Sequence, residues 1–193
     1  MTIPIILASS SERRKQLLSL IGVTVDQYVS PTVDETPLND ELPRQLALRL
    51  AQEKVRATAS EYPNHIIIAA DNVVAVGRRI LDKAETDDDV KRYLTLLSGR
   101  KNTVYTALSI CHPSGKQSLK LVETKVTFKR LTAQEIESYI QTGEGIGKAG
   151  GYAIQGIASK YIKTIQGSYH AVMGLPVHEV YQMLTGLGYS LTN

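Results

Sequence analysis

The stretch His65–Val76, HIIIAADNVVAV, places five consecutive apolar residues before Asp71 and four after Asn72. A short continuous apolar run is typical of a strand that is buried on both faces, as in the sheets of α/β proteins. A carboxylate that interrupts such a run is either a turn residue whose oxygens are hydrogen-bonded by the backbone or a residue of a functional site. Because ligands of open α/β sheets bind at the carboxyl ends of strands, we expect Asp71 to end a buried strand and to face an active crevice.

Strand-like and helix-like patterns alternate on both sides of this stretch. The apolar run Ile3–Leu7 predicts a first strand, and the segment GSYHAVMGLP, residues 167–176, is expected to be a turn. The alternation favours a mixed α/β layer architecture. The other expected elements are a helix from the arginines after Glu12 to Gly22, a strand at Val23–Val29, a helix at Pro43–Ser60, a helix from Thr86 to Ser98, a hairpin of Asn102–Cys111 and Ser118–Arg130, a helix from Thr132 to about Thr142, a strand near Tyr161–Ile165 and a helix at Val177–Leu184.

The bulk composition indicates one globular unit. The chain has 193 residues, of which 42% are hydrophobic and 21% charged, and no repeat or linker divides it, so we expect a single domain over residues 1–193. A net charge of +3 is too small to indicate a nucleic-acid polymer as partner. No apolar run approaches the ~18 residues of a membrane helix. The lone Cys111 excludes an internal disulfide, and the basic residues follow the first apolar run, which is the reverse of a secretory signal. We therefore expect a cytoplasmic protein without a membrane partner.

The turn ASSSERRK, residues 8–15, combines three serines with Arg13 and Arg14 at the expected start of a helix. Free N–H groups at a helix N-terminus attract anions, and guanidinium groups match phosphate oxygens. An ordinary serine cap with solvated arginines is the alternative. One serine suffices for a cap, however, and three are present, so Ser9, Arg13 and Arg14 are candidate phosphate ligands.

Lys54 continues an apolar stripe of the long helix, on which Leu42, Leu46 and Leu50 lie four residues apart. A lysine on the inward face needs an anionic partner, because an unpaired buried charge is costly. The alternative is that its stem packs while the amine reaches water. Both interpretations remain open from the spacing alone.

Loop carboxylates supply a candidate metal site. Asp34 and Glu35 could join Asp71 around a divalent cation, since Mg²⁺ prefers one or two carboxylates together with substrate phosphates. Loop carboxylates are more often only solvated.

The glycine-rich GKAGGYAIQG, residues 147–156, permits close approach of a ligand and carries Gln155, which could bind a base or a phosphate. His170 has no acidic or hydroxyl residue at a spacing that would indicate a catalytic pair, and we interpret it as structural.

Taken together, these motifs resemble the Maf family of nucleotide pyrophosphatases. The matches follow the family's order and cover nearly the whole chain. They are ASSSERR at 8–14, VDE at 33–35, LAQEK at 50–54, AADNVV at 69–74, LDK at 81–83, LSGR at 97–100, KAGGYAIQG at 148–156 and GSYHAVMGLP at 167–176.

The resemblance implies an elongated mixed sheet with flanking helices and two lobes around a central cleft, similar to the inosine triphosphate pyrophosphatases. It also implies hydrolysis of nucleoside triphosphates to monophosphate and pyrophosphate, a divalent cation (Mg²⁺, Mn²⁺ or Co²⁺) and a homodimer. The implied roles are catalysis by Asp71, Lys83 and Glu35, metal binding by Glu35 and Asp71, phosphate binding by Ser9, Arg13, Arg14 and Lys54, and specificity from Arg13, Asn72 and Gln155.

The sequence departs from the family pattern at Glu12, where proline is usual, at Asn72, where threonine is usual, and beside Lys83, where Asp82 and Ala84 replace glycine and proline. Arg13 and Gln155 resemble the branch that acts on dTTP and UTP. Residues 33–54 look more like the branch that acts on 7-methyl-GTP. The first branch is our prediction; the second, or a nucleotide-binding regulator of cell division without turnover, is the alternative.

Overall fold

The computed structural model of the protein describes residues 3–189, so that positions 1, 2 and 190–193 of the expected domain lie outside it. A seven-stranded mixed sheet has the order β2-β1-β3-β5-β6-β7, with β4 paired to β3 off this path. The expected α/β class, a mixed sheet with flanking helices, is confirmed. The strands are β1 (Ile5–Leu7), β2 (Gln27–Tyr28), β3 (Ile66–Val76), β4 (Arg79–Leu81), β5 (Lys101–Cys111), β6 (Gln117–Phe128) and β7 (Ile162–Gln166). The helices are α1 (Glu12–Leu20), α2 (Pro43–Glu61), α3 (Asp87–Leu97), α4 (Ala133–Ile140), α5 (Tyr169–Met173) and α6 (Val177–Gly186), with a 3₁₀ turn at Ile157–Tyr161.

Strand β3 has a gap along one of its edges. On that edge β1 runs parallel to β3 only as far as Leu7 opposite Ile68, and β4 pairs with it only from Val74 onward. On the other edge β5 pairs with β3 continuously from Ile67 to Ala75. Within residues 3–189 the edge between Ile68 and Val74 therefore has no strand beside it, and Asp71 lies at the centre of this gap.

The two faces of β3 meet different partners, because successive side chains of a strand point to opposite sides. Ile67 and Ala69 pack in one cluster with Val55 of α2, and Val73 packs in another with Leu50 of α2. Asp71 shares this register and so faces α2. The neighbouring residue Asn72 therefore points to the opposite face.

That opposite face contains two large cores that divide β3 between them. Ile66, Ile68 and Ala70 pack with residues of α1 and α6, whereas Val74 packs with residues of α3, α4 and β6. Asn72 lies between the two cores. Asn72, a predicted specificity residue, is thus at the boundary between these two cores.

Local signals placed most helix starts correctly. The Thr86 hydroxyl accepts a hydrogen bond from the N–H of Asp89 at 3.2 Å, and the Thr132 hydroxyl accepts one from the N–H of Glu135 at 3.2 Å. Both are capping boxes of the kind expected at helix N-termini. None of the helices between residues 3 and 189 is long and apolar enough to cross a membrane.

Several local expectations were wrong. Strand β3 does not end at Asp71 but continues to Val76, because β5 pairs with it past that point. The strand expected at Val23–Val29 contains only Gln27–Tyr28, since just these residues reach β1. Strand β4 was not expected, and the segment 167–176 contains helix α5, whose N-terminus is capped by the Ser168 hydroxyl.

Candidate active site

A cleft of about 580 Å³ opens at the gap in the edge of β3. It is bounded by the turn between β1 and α1, the loop before α2, and the segment 147–155. The chain therefore brings residues that are far apart in sequence to one place. The site residues that the resemblance implies all line this cleft: Ser9, Arg13, Arg14, Glu35, Lys54, Asp71, Asn72, Lys83 and Gln155.

Four charged groups of the cleft form a continuous chain of ion pairs. The Lys54 ammonium lies 2.6 Å from Oδ1 of Asp71 and 2.7 Å from Oε1 of Glu35. Lys83 lies 3.0 Å from the other oxygen of Glu35. The Lys54 and Asp71 side chains are 11% and 10% exposed, so the alternative in which the amine of Lys54 only reaches water is excluded. Lys54 has the anionic partner that its position on α2 required.

Glu35 is held in its ionised form. Burial by itself would raise the pKa of Glu35, but hydrogen bonds and charge from Lys54 and then Lys83 outweigh it and lower the pKa to about 2. The carboxylate is therefore negative throughout the neutral range. In this state it can bind a cation or orient the two lysines.

This pKa predicts how Glu35 contributes to stability. Its folded pKa of about 2 lies below the ordinary 4.5, so the unfolded state binds more protons between these values. The contribution is present above the ordinary pKa and is lost as the pH falls through the folded one. We expect urea unfolding of metal-free protein to show a stability difference between wild type and Glu35→Gln at about pH 5 that shrinks at about pH 3. An equal difference at both pH values would contradict this.

The carboxylates of the cleft fit a divalent cation that also binds phosphates. Glu35 and Asp71 contact the same ammonium group, so they lie close enough together to share one ion. No group of three or more His, Cys, Asp or Glu residues that could hold a metal occurs in the described range 3–189. The protein thus offers two carboxylates and leaves other positions to the substrate, as Mg²⁺ sites with phosphate ligands do. Asp34 does not line the cleft; its carboxylate accepts the N–H of Thr36 at 2.9 Å.

The two arginines of the N-terminal turn differ in their surroundings. Arg14 donates from Nε to the carbonyl of Gly174 at 2.9 Å and from Nη1 to the hydroxyl of Ser9 at 3.1 Å. Arg13 lines the cleft with its Nε buried and without a hydrogen-bond partner among residues 3–189. Burial lowers the pKa of both guanidinium groups. Ser11, which precedes α1, makes no side-chain cap, so the interpretation of the serines as an ordinary cap is not supported.

Asn72 connects Arg14 to Thr106 of β5 and Ala171 of α5. Its Oδ1 accepts a hydrogen bond from Nη2 of Arg14 at 3.0 Å, and its Nδ2 donates to the hydroxyl of Thr106 and the carbonyl of Ala171, both at 2.8 Å. Both ends of the amide are occupied by the protein. Any influence of Asn72 on substrate choice is therefore expected to act through the orientation of Arg14.

The Asn72→Ala substitution tests this arrangement. It removes an acceptor from a charged donor, a hydrogen bond worth about 1.5–3 kcal/mol, so we expect the KM values for all nucleoside triphosphates to rise together by about 10- to 100-fold. The exposed loop residue Asn64 provides the matched control, Asn64→Ala. A change in the ratio between nucleotides would instead indicate a direct contact of Asn72 with the base, and an unchanged KM would contradict both interpretations.

Gln155 is exposed at the end of the glycine-rich segment, where Glu144 holds the chain. The Glu144 carboxylate accepts the N–H groups of Ile157 at 2.8 Å and Ala158 at 3.3 Å. A Cβ added at Gly156 would come within 1.8 Å of this carboxylate, so glycine is required for the close approach. No sequence pattern marks Glu144 or Thr106, because their partners are backbone groups or are distant in the chain.

His170, which we interpreted as structural, and the lone Cys111 are both absent from the cleft lining. His170 is half-buried in α5 and stacks edge-on against Tyr169, with ring centroids 5.8 Å apart. Cys111, at the end of β5, is only partly buried and packs against the cluster that includes Ile67. Burial raises the pKa of its thiol, which disfavours a nucleophilic thiolate.

Comparison with known proteins agrees with this geometry. The family model described as "Maf-like protein" matches residues 4–187. A dTTP/UTP pyrophosphatase of Caulobacter vibrioides is 52% identical over 185 residues, which cover 96% of each chain. A dTTP/UTP pyrophosphatase of Mesorhizobium japonicum is 47% identical, over 97% of this chain and 93% of the relative.

A solved structure of a HAM1 protein from Coxiella burnetii has a similar fold. It is 14% identical with a TM-score of 0.50, over 97% of this chain and 100% of that one, and the likeness concerns the fold alone. The family model and the two pyrophosphatases span nearly the full length, and they agree with the resemblance carried by the motifs. The chain belongs to the Maf family.

Proposed function

We propose that this protein hydrolyses nucleoside triphosphates to the nucleoside monophosphate and pyrophosphate, with dTTP and UTP as preferred substrates. The observation that carries the proposal is the convergence of the Lys54–Asp71 pair, Glu35, Lys83 and the N-terminal arginines in one cleft. Full-length relatives of 47–52% identity that are named dTTP/UTP pyrophosphatases support the substrate. The pyrimidine branch was the sequence prediction, and these names favour it over the 7-methyl-GTP branch.

In this proposal the cleft neutralises and orients the triphosphate. Arg13, whose buried Nε has no partner in the described chain, and Arg14, which keeps two of its five N–H groups outside its protein contacts, bind phosphate oxygens together with Ser9. Lys54 and Lys83 exchange their carboxylate partners in part for phosphate oxygens. Positioning and charge neutralisation then supply most of the acceleration.

Asp71 orients or deprotonates the water that attacks the α-phosphorus, and pyrophosphate leaves. Its position supports this role, since the residue is buried and lines the cleft at the gap of β3. Glu35 and Asp71 would hold a divalent cation, which when bound withdraws charge from the phosphates. Gln155 and Arg13 are proposed to contribute to the choice of base.

A homodimer and a cytoplasmic location belong to the same proposal. The homodimer follows from the family resemblance and the cytoplasmic location from the sequence; sedimentation tests the first and cell fractionation the second. A nucleic-acid polymer or a membrane is not part of the proposed activity.

A nucleotide screen tests the function directly. The protein is incubated with dTTP, UTP, CTP, GTP, ATP and 7-methyl-GTP in the presence of Mg²⁺, Mn²⁺ or Co²⁺, and pyrophosphate and orthophosphate are measured separately. We expect pyrophosphate as the first product, fastest with dTTP and UTP, and none in EDTA. Orthophosphate as the first product would indicate a phosphatase, and tight binding without a product would indicate a regulator; either would overturn the proposal.

A further inference from the structure

Arg49 lies on α2 outside the cleft lining, yet its guanidinium holds the loop that carries Glu35. It donates from Nη1 to the carbonyl of Asp34 at 3.4 Å and from Nη2 to the carbonyl of Thr36 at 3.0 Å. These carbonyls belong to the residues immediately before and after Glu35. The backbone on both sides of Glu35 is thus attached to one side chain of a rigid helix.

Arg49 is itself fixed by carboxylates. Glu41 receives two parallel hydrogen bonds, from Nε at 2.8 Å and from Nη2 at 2.9 Å, and Glu53 lies 3.2 Å from Nη1. The Glu41 side chain is only 7% exposed. Fork-to-fork pairs of this kind fix direction as well as distance, because both groups are planar. The contact with Glu41 also raises the pKa of Arg49, so its charge is permanent.

The loop has little else to hold it. Residues 34–40 are all exposed and belong to no helix or strand. Within the described chain, the ion pairs of the Glu35 side chain are with Lys54 and Lys83, which the proposed reaction requires to move towards phosphate. When those two contacts change, the Arg49 contacts are what remains to keep Glu35 in place.

We propose that Arg49 is a positioning residue: it holds the backbone around Glu35 so that this carboxylate stays beside Asp71 when the lysines bind the triphosphate. The inference rests on the proposed function for its effect on turnover, but the contact of Arg49 with the loop does not depend on that function. Arg49 acts through Glu35 and touches no substrate.

A double-mutant cycle tests the coupling. We expect Arg49→Ala to lower kcat/KM for dTTP by about 10- to 100-fold, the usual effect of removing a group that orients a metal ligand, and to raise the Mn²⁺ concentration for half-maximal activity. In a Glu35→Gln background, Arg49→Ala should lower kcat/KM by less than about twofold, because the carboxylate that Arg49 positions is already absent. Equal costs in both backgrounds would overturn the proposal.

Two further variants separate geometry from charge and from general destabilisation. Arg49→Lys keeps the charge but cannot contact both carbonyls and Glu41 at once, so we expect it to remain impaired; full activity would overturn the proposal. The matched control is Arg56→Ala, an exposed arginine two turns further along α2, which should leave the activity unchanged.

Hydrogen exchange of the nucleotide-free protein gives a readout that needs no turnover. In Arg49→Ala, amides of residues 34–41 should exchange faster than in wild type, while those of β3 stay the same. Unchanged exchange in this loop would overturn the proposal. If Arg49→Ala folds poorly, the same measurement on Arg49→Lys decides. If wild type proves inactive on every nucleotide, the proposed function fails, and the exchange result alone decides whether Arg49 orders Glu35.

Discussion

Asp71→Asn is expected to lower kcat for dTTP and UTP by about 10²–10⁴-fold, the range for removal of a general base. Asparagine has the same size, but it cannot accept a proton from water. Lys54 keeps its second carboxylate partner, Glu35 at 2.7 Å, so the fold is expected to persist. Pyrophosphate release and the midpoint of thermal unfolding measure the two effects separately.

The control for this substitution is Asp88→Asn, at an exposed aspartate in the first turn of α3. It should retain wild-type turnover. A folded Asp71→Asn protein with wild-type turnover would refute the role given to Asp71, whatever the substrate proves to be.

Lys54→Met is expected to impair stability and turnover together. It leaves the buried carboxylate of Asp71 without the ammonium 2.6 Å away, and breaking a buried ion pair on one side costs about 3–5 kcal/mol. Turnover falls as well, because a proposed phosphate ligand is lost. Urea unfolding of the metal-free protein at neutral pH measures the first effect, with Lys91→Met, at an exposed lysine of α3, as the control.

The double substitution Lys54→Met/Asp71→Asn distinguishes this cause from a general defect. Because the second change removes the uncompensated charge, the double variant should be more stable than Lys54→Met alone. If the two destabilisations simply add, the pair does not act as a buried ion pair.

The sequence predicted the fold class and most elements because their signals are local. Apolar runs marked β3 and the β5–β6 hairpin, and side-chain oxygens at Thr86 and Thr132 marked the starts of α3 and α4. It could not predict which way Asp71 and Asn72 point. The run around them is apolar on both faces, so it carries no alternation from which a face can be read.

The residues of the cleft were predicted, but most of their contacts were not. The stripe on α2 indicated that Lys54 faces inward, yet it did not name Asp71 and Glu35 as joint partners. Arg14 was expected among phosphate ligands, and its hydrogen bond to Asn72 spans a sequence separation that periodicity cannot bridge. The contacts of Arg49 were missed for a further reason: backbone carbonyls are identical at every residue and leave no mark in the sequence.

The measurement that tests the central claim most directly is the fate of the oxygen from water. Turnover of dTTP in ¹⁸O-enriched water, followed by mass spectrometry of both products, reports which phosphorus is attacked. If water positioned by Asp71 attacks the α-phosphorus, one ¹⁸O atom enters dTMP and the pyrophosphate stays unlabelled. Label in pyrophosphate or in orthophosphate, with unlabelled dTMP, would contradict the account.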